Sequence, residues 1–294
     1  MFIIKYKKIF VIISAVLVSL SLASIIFFGL NFGIDFKGGS LLEVEYTTIR
    51  PEQKIIEDTI KPLVAGEILV QPMGDNGYSI KTRDITEPER EMIMTSLGSE
   101  VVEKSFTSIG PSVGAELVRK SIITFILVVL GIIFWIAFSF RKVSKPVSSW
   151  KYGFMAIVSL VHDVIISAGV FAFLGYLTGA EVDTLFVVAI LTVLGLSVSD
   201  TIVVFDRIRE NIRVGHYKTF EETVGHSLDQ VYTRSIATSS TVIIVLLALV
   251  FFGPSSTKIF AIMLTAGMFF GTYSSIFLAS PLLVIVNNLQ KKNK

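Results

Sequence analysis

The sequence predicts a polytopic α-helical membrane protein: six transmembrane helices, with a small α+β ferredoxin-like domain (βαββαβ) between the first two. Of its 294 residues, 52% are apolar and only 17% are charged, with a mean hydropathy of +0.71. Soluble domains are about a quarter charged, so a wholly soluble protein is excluded. One segment, residues 30–118, is acidic, with 15 Asp and Glu against 8 Lys and Arg. The remainder is basic and oily.

Six apolar runs approach the roughly 20 residues that a helix needs to cross the hydrocarbon core. They are Ile9–Leu30, Ile122–Phe140, Phe154–Tyr176, Leu185–Phe205, Ile236–Phe252 and Ile259–Val286. The first run is longer than the roughly 7–15 residues of a signal-peptide core, and no A-x-A cleavage site follows it. It therefore predicts a membrane anchor rather than a cleaved leader.

Lys and Arg in the short loops predict the orientation. With the N-terminus inside, the inner segments hold 14 of these residues, whereas the short outer loops hold only Lys258. The inner cations are Lys5, Lys7, Lys8, Arg141, Lys142, Lys145, Lys151, Arg207, Arg209, Arg213, Lys218, Lys291, Lys292 and Lys294. Both termini are therefore expected in the cytoplasm. The predicted division is 1–30 for the N-terminal tip and first helix, 31–120 for the outer domain, and 121–294 for helices two to six.

The outer segment alternates strand and helix signals. Strands are predicted at Ser40–Thr47, Glu67–Gln71, Tyr78–Thr82 and Ser99–Ser108, and helices at Pro51–Val64 and Thr86–Leu97. Gly74–Gly77 predicts the hairpin turn between the second and third strands. The order βαββαβ is that of a ferredoxin-like unit. The segment has no histidine and no catalytic motif, so it is interpreted as a binding or docking module.

Four side chains are costly at membrane depth, where a charge costs about 2.5–3.5 kcal/mol on insertion scales. His162 and Asp163 lie in the middle of the third run, and Asp200 lies in the fourth. The fifth run has 17 residues, about 26 Å of helix, and must recruit residues before Ile236. This draws Arg234 to the membrane, in the same inner half as Asp200.

Two interpretations of Asp200 and Arg234 stay open on these grounds. They form either a static ion pair that locks two helices or a protonatable carboxylate gated by an arginine, as in proton-driven transporters. For His162 and Asp163, the alternatives are helix–helix hydrogen bonding and proton relay. His216 and His226 are expected at the surface. Gly267 and Gly271 form a small-xxx-small pattern that predicts close helix packing.

The sequence lacks the residues that several classes of function require. The chain has no Cys, no H-E-x-x-H, no G-x-S-x-G and no glycine loop leading to a P-loop lysine. No basic-aromatic stripe predicts nucleic-acid binding. We therefore expect no enzyme, no cofactor and no metal site. Asp206, Arg207, Arg209 and Glu210 are expected to be solvated charges at a helix end.

Four sequence motifs follow one another along the chain. They are Gly33–Gly39 (GIDFKGG), Val161–Asp163 (VHD), Ser199–Asn211 (SDTIVVFDRIREN) and Arg234–Ser239 (RSIATS). Together they resemble the SecF-like members of the SecD/SecF family of bacterial protein-export membrane subunits, in the resistance-nodulation-division superfamily. The matching motif residues are Gly33, Asp35, Phe36, Gly38, Gly39, Asp206, Arg207, Arg209 and Glu210.

The resemblance implies a multi-pass protein of the bacterial inner membrane with its α+β domain in the periplasm. It implies that the chain pairs with SecD and associates with YajC and the SecYEG channel, downstream of SecA. Such proteins draw on the proton-motive force to pull a preprotein across the membrane. The family's intramembrane aspartate and arginine match Asp200 and Arg234, with His162 and Asp163 as a candidate relay. Ser199 stands where some relatives have Asn.

Competing functions are weighed against this one. A proton-driven small-molecule or lipid exporter half would need a larger outer domain to hold its substrate. A structural scaffold of the translocase would need no titrating group. An intramembrane hydrolase lacks a nucleophile–base pair or metal set. The chain has one copy of the span–domain–five-span unit, and transporters of this kind commonly combine two. It therefore needs a second half.

Overall fold

The computed structural model describes residues 2–139, 149–215 and 217–292. The chain divides into two compact units, which we call the helical unit (residues 1–31 and 124–294) and the sheet unit (residues 32–123). Some residues named above lie outside the described residues: Phe140, Arg141, Lys142, Lys145, His216 and Lys294, together with the side chains of Lys291 and Lys292.

Long apolar helices dominate the chain. The described helices are α1 (Phe2–Lys5), α2 (Lys7–Phe28), α3 (Ile34–Lys37), α4 (Gln53–Ile60), α5 (Glu87–Leu97), α6 (Pro111–Ser139), α7 (Ser149–Thr178), α8 (Thr184–Val214), α9 (Phe220–Phe252), α10 (Ser255–Ser274) and α11 (Ser280–Lys292). A π-helical segment, Ser275–Ala279, joins α10 to α11. Within the described residues, six spans are long and apolar enough to cross a membrane: α2, α6, α7, α8, α9 and the continuous run from α10 to α11. The predicted six-span architecture is confirmed.

Helix α9 shows how the short fifth run becomes a full-length span. It begins at Phe220 with a capping box: the Thr219 hydroxyl accepts from the Glu222 N–H (3.1 Å), and the Glu222 carboxylate accepts from the Thr219 N–H (3.2 Å). The helix then continues unbroken through Arg234 to Phe252. The short apolar run therefore does extend towards the N-terminus, as its length predicted.

The interior of the helical unit is formed by α7, α8 and the α10–α11 run, whose apolar windows are about half buried. By contrast, α2, α6 and α9 leave most of their apolar windows exposed. Tyr152, Phe205 and Leu283 are fully buried and belong to one apolar cluster. The predicted close packing at Gly267 is confirmed, since a Cβ there would lie 2.1 Å from Val193 Cγ2.

The sheet unit contains a four-stranded antiparallel sheet in the order β2-β3-β1-β4. Its strands are β1 (Gly39–Tyr46), β2 (Leu69–Met73), β3 (Gly77–Thr82) and β4 (Val101–Ile109). Helix α4 follows β1 and α5 follows β3. Alternate strand residues are buried against these two helices in an aliphatic core that includes Leu42, Val44, Ile56, Ile60, Ile80 and Ile93.

Several element boundaries in the sheet unit differ from the predicted ones by one to four residues. Helix α4 ends at Ile60, well before the predicted Val64. Pro62 explains this, because it has no N–H to donate and its ring disfavours a continuing helix. Strand β2 begins at Leu69, two residues after the predicted start. Its register is set by pairing Met73 with Gly77 across a tight loop in which Gly74 has φ +58°.

The Gly33–Gly39 motif forms a tight junction inside the sheet unit. Gly33 precedes the single turn α3, which carries Asp35 and Phe36. Gly38 and Gly39 have φ of +77° and +133°, values that only glycine adopts readily. A Cβ on Gly39 would lie 2.6 Å from the carbonyl oxygen of Thr82. The paired glycines therefore let the chain turn from α3 into β1 against its neighbouring strand.

Candidate functional site

Asp200 and Arg234 line one cavity of about 200 Å³ between α8, α9 and α10. Helix α8 supplies Asp200 and α9 supplies Arg234. The polar part of the lining also includes Ser197, Ser199, Ser235, Thr238, Ser239 and Thr272. At about 30 Å³ for each molecule of liquid water, the space can hold several waters beside the carboxylate. The cavity therefore brings together a carboxylate, a guanidinium and several hydroxyl groups.

Asp200 and Arg234 share this cavity without touching. In the part of the chain that the structure describes, no ion pair joins the two side chains. The Asp200 carboxylate is half-buried, and its Oδ2 accepts a hydrogen bond from Ser275 Oγ (2.5 Å). Arg234 is exposed. The two side chains thus line the same cavity, and the arginine does not hold the carboxylate in an ion pair.

Asp163 is the most deeply buried charged residue of the site, with no exposed surface. Its Oδ1 is joined to His162 Nδ1 by a hydrogen bond of 2.8 Å. Its Oδ2 accepts from the hydroxyls of Ser197 and Ser274, the latter at 2.8 Å. The carboxylate therefore joins α7, α8 and α10 through short side-chain contacts.

Of the two ring nitrogens of His162, one is hydrogen-bonded and the other has no partner among the described residues. Nδ1 contacts Asp163, whereas the buried Nε2 has no hydrogen-bond partner among the described residues. The ring lies nearly parallel to that of Tyr273, with 6.4 Å between centroids. Tyr273 in turn donates its hydroxyl to the backbone carbonyl of Phe10 (3.1 Å). An imidazole with a free nitrogen can accept or release a proton there.

The sequence reasoning missed the serines that hold the two carboxylates. Ser197, Ser274 and Ser275 are buried and contact Asp163 or Asp200. The available signal was the run of hydroxyl-bearing residues Thr272–Ser275 inside the largely apolar sixth span. That span was interpreted as packing alone.

The charged residues at the C-terminal end of α8 are only partly solvated. Asp206 and Glu210 are exposed, as expected. Arg207 Nε donates to Gln230 Oε1 of α9 (2.6 Å), and Arg209 Nη1 donates to the carbonyl of Ser139 at the end of α6 (3.1 Å). Both arginines therefore remain partly exposed to solvent, and they also connect α8 to its neighbouring helices.

Asn211 completes this helix-end cluster and was missed by the sequence reasoning. Its Nδ2 lies 2.8 Å from both Ser227 Oγ and Gln230 Oε1. The Gln230 carbonyl thus accepts from donors on two residues of α8. Gln230 lies about one helical turn before Arg234 on α9, whereas Arg207 and Asn211 lie about two and three turns after Asp200 on α8. The cluster fixes the register between the two helices that carry these residues.

The motif glycines and the cavity residues occupy different units. Gly33, Asp35, Phe36, Gly38 and Gly39 belong to the sheet unit, and the cavity lining belongs entirely to the helical unit. Among the described residues, no group of three or more His, Asp or Glu side chains is placed to hold a metal ion.

Comparison with protein families gives two matches. Residues 89–289 match the model described as "Protein export membrane protein SecD/SecF, C-terminal", and residues 23–48 match the "SecD/SecF GG Motif". The first match spans most of the helical unit. The second contains the Gly33–Gly39 junction.

Curated relatives match over almost the full length. The chain is 43% identical to the protein translocase subunit SecF of Thermobaculum terrenum, covering 97% of this chain and 94% of the relative. It is 36% identical to that of Anaerolinea thermophila, covering 98% and 94%.

A solved structure agrees with these relatives. The crystal structure of SecDF from Thermus thermophilus, described as a translocon-associated membrane protein, superposes with a TM-score of 0.83 at 28% identity. The match covers 99% of this chain but only 38% of the SecDF chain.

Proposed function

The chain belongs to the SecD/SecF family of protein-export membrane proteins and is an accessory subunit of the Sec protein translocase; we propose that it couples the proton-motive force to translocation through a proton taken up and released at Asp200. The family and the full-length relatives support the translocase role. The geometry of the helical unit supports the coupling step.

The observation that carries the proposal is that Asp200 and Arg234 line the same cavity but form no ion pair among the described residues. A static ion pair would bring the carboxylate and guanidinium into contact. Instead, Asp200 is held by Ser275 and faces a cavity of about 200 Å³ that Arg234 also lines. A carboxylate reached by water, with its arginine at a distance, can exchange a proton. Of the two interpretations of this pair, the geometry favours the protonatable one.

Proton uptake would change the charge balance of the cavity. With Asp200 ionised, its negative charge compensates Arg234 across the cavity. With Asp200 neutral, Arg234 remains uncompensated in a low-dielectric environment, which favours a different packing of α8 against α9. Ser197 both lines the cavity and contacts Asp163, so His162 and Asp163 are the proposed relay.

The remaining assignments follow from the family and the charge pattern. We place the protein in the bacterial inner membrane with both termini in the cytoplasm and the sheet unit in the periplasm. SecD is the proposed second half, and the SecYEG channel, YajC and SecA are the proposed further partners. The emerging preprotein would contact the sheet unit. No catalytic reaction is assigned to the chain.

The test is preprotein translocation in vesicles that contain the protein with SecD and the channel. After ATP is removed, an imposed proton gradient should drive further translocation with the unaltered protein but not with Asp200→Asn. The matched control is Asp206→Asn, the same chemical change at an exposed position of the same helix, which should respond like the unaltered protein. Equal responses from both variants would assign Asp200 a structural role and make the chain a scaffold.

A further inference from the structure

Two consecutive serines contact the carboxylates of two different helices. Ser274 Oγ lies 2.8 Å from Asp163 Oδ2 on α7, and Ser275 Oγ lies 2.5 Å from Asp200 Oδ2 on α8. Both serines are fully buried. Since neighbouring residues of a helix point about 100° apart, one short stretch of the last span reaches both carboxylates at once.

The helix changes its register at this same point. The π-helical segment Ser275–Ala279 begins at the residue that contacts Asp200. Ser280 Oγ donates to the carbonyl of Ser275 (3.3 Å), five residues earlier, as the wider turn allows. π-Helical turns are rare and frequently mark functional sites, because they add one residue that a regular helix would not hold.

Each serine has an alternative acceptor within its own helix. Ser275 Oγ lies 3.0 Å from the carbonyl of Thr272, and Ser274 Oγ lies 3.0 Å from the carbonyl of Gly271. A hydroxyl has one hydrogen to donate. It can bond the carboxylate of the neighbouring helix or its own backbone, but not both fully.

We propose that Ser275 is a positioning residue that transmits the protonation of Asp200 to the π-helical segment, and that Ser274 connects Asp163 to the same segment. This inference rests on the proposed function, which takes Asp200 as the proton site. With Asp200 ionised, Ser275 donates to it and ties the start of the π turn to α8. When a proton binds an Asp200 oxygen, that oxygen becomes a donor and Ser275 turns its hydrogen to the Thr272 carbonyl. The π turn is then free to rearrange.

The other charged groups around Asp200 come from two helices. Arg234 of α9 lines the same cavity. On α7, Asp163 contacts His162 and also the cavity residue Ser197. The α10 residues that line the cavity are uncharged. Ser275 is therefore the group of the last span that responds directly to the charge of Asp200.

Ser275→Ala tests the proposal, and Ser167→Ala is its matched control. Ser167 is equally buried on α7 but lies outside the cavity, and its hydroxyl has no hydrogen-bond partner among the described residues. A hydrogen bond to a charged group contributes enough for Ser275→Ala to lower gradient-driven translocation about tenfold at neutral pH. The pH of half-maximal activity should rise by roughly one unit, since the ionised carboxylate loses a donor. Ser275→Thr keeps the hydroxyl and should restore both.

A second measurement follows the backbone of the π-helical segment and α11. Backbone amide exchange of residues 275–284, followed by mass spectrometry in lipid nanodiscs, should change at least threefold in Asp200→Asn. Adding Ser275→Ala to Asp200→Asn should produce little further change, because the negative charge that holds the Ser275 hydroxyl is already removed.

The outcomes separate this inference from the proposed function. Normal gradient-driven translocation with Asp200→Asn overturns both. If Asp200→Asn loses that response while Ser275→Ala matches Ser167→Ala in activity and pH profile, the Ser275 proposal alone is wrong. Unchanged amide exchange in Asp200→Asn also overturns the Ser275 proposal, whatever the activities.

Discussion

The two units of the molecule treat a carboxylate and an arginine in opposite ways. In the sheet unit, Arg83 donates directly to Glu89, and this hydrogen bond, with further donors from Thr86, lowers the pKa of Glu89 to about 2. In the helical unit, Asp200 and Arg234 line one cavity without an ion pair among the described residues. A direct pair keeps its carboxylate ionised down to low pH, whereas Asp200 has no arginine in direct contact among the described residues, as the proposed proton exchange requires.

The two units also differ in where their polar side chains lie. The core of the sheet unit is apolar, because water can solvate its charges at the surface. The helical unit faces lipid, which offers no hydrogen bonds, so polar groups turn inward and several of them bond one another. These include His162, Asp163, Ser197, Ser274 and Ser275, all buried. In the helical unit, a connected set of buried polar side chains therefore lies beside the cavity of Asp200 and Arg234.

The largest expected effect comes from Arg234. Arg234→Gln removes the cation that compensates Asp200 and should abolish at least nine-tenths of gradient-driven translocation, about 1.4 kcal/mol or more in coupling. Arg234→Lys keeps the charge and should retain part of the activity. The measurement is translocation in gradient-energised vesicles after ATP removal.

The matched control for Arg234 is Arg83→Gln in the sheet unit, where the exposed arginine contacts Glu89 and the backbone carbonyls of Ala65 and Asp84. It should translocate normally. Loss of activity in Arg83→Gln, or full activity in Arg234→Gln, would contradict the distinction between the fixed and the titratable pair.

The next effect concerns backbone strain in the sheet unit. Gly39→Ala places a Cβ at φ +133° and 2.6 Å from the Thr82 carbonyl oxygen, which should cost roughly 2–4 kcal/mol. Gly66→Ala also has positive φ but meets nothing within 4 Å, so only the strain of roughly 1–2 kcal/mol remains. Urea midpoints of the full-length protein, read by hydrogen exchange of peptides from residues 32–123, compare the two. Equal midpoints would show that the close approach is relieved elsewhere.

A smaller effect is expected where α8 meets α9. Gln230→Ala removes the carbonyl that accepts from Arg207 and Asn211, which should destabilise the helical unit by about 1–3 kcal/mol. The control is Gln53→Ala in the sheet unit, whose amide makes one exposed hydrogen bond to Glu57 (2.7 Å) and should change stability by less than about 0.5 kcal/mol. Thermal unfolding in detergent measures both, and similar losses would show that the α8–α9 contact is not specific.

The comparison of units also explains what the sequence could predict. The six spans followed from apolar runs, and Asp200, Arg234, His162 and Asp163 stood out because charged and titratable groups are costly in lipid. Ser274 and Ser275 did not stand out, since a serine is inexpensive in an apolar helix and can bond its own backbone. Which carboxylate each serine meets depends on how helices cross, and a single sequence does not specify that. Similarly, Gln230, which both Arg207 and Asn211 contact, lies on a different helix.

The smallest expected effect is the pH dependence of the sheet unit. Because Arg83 lowers the pKa of Glu89 to about 2 from its usual 4.5, the stability contributed by this carboxylate is complete above pH 4.5 and is lost as the pH falls towards 2. Glu89→Gln should therefore flatten the loss of stability between these pH values. The change should be slight, since the pair is solvated. Urea midpoints by hydrogen exchange at several acidic pH values, with Glu91→Gln on the same helix as the control, isolate the contribution. If Glu91→Gln flattens the profile equally, general charge on α5 rather than the Arg83 contact sets the acid sensitivity.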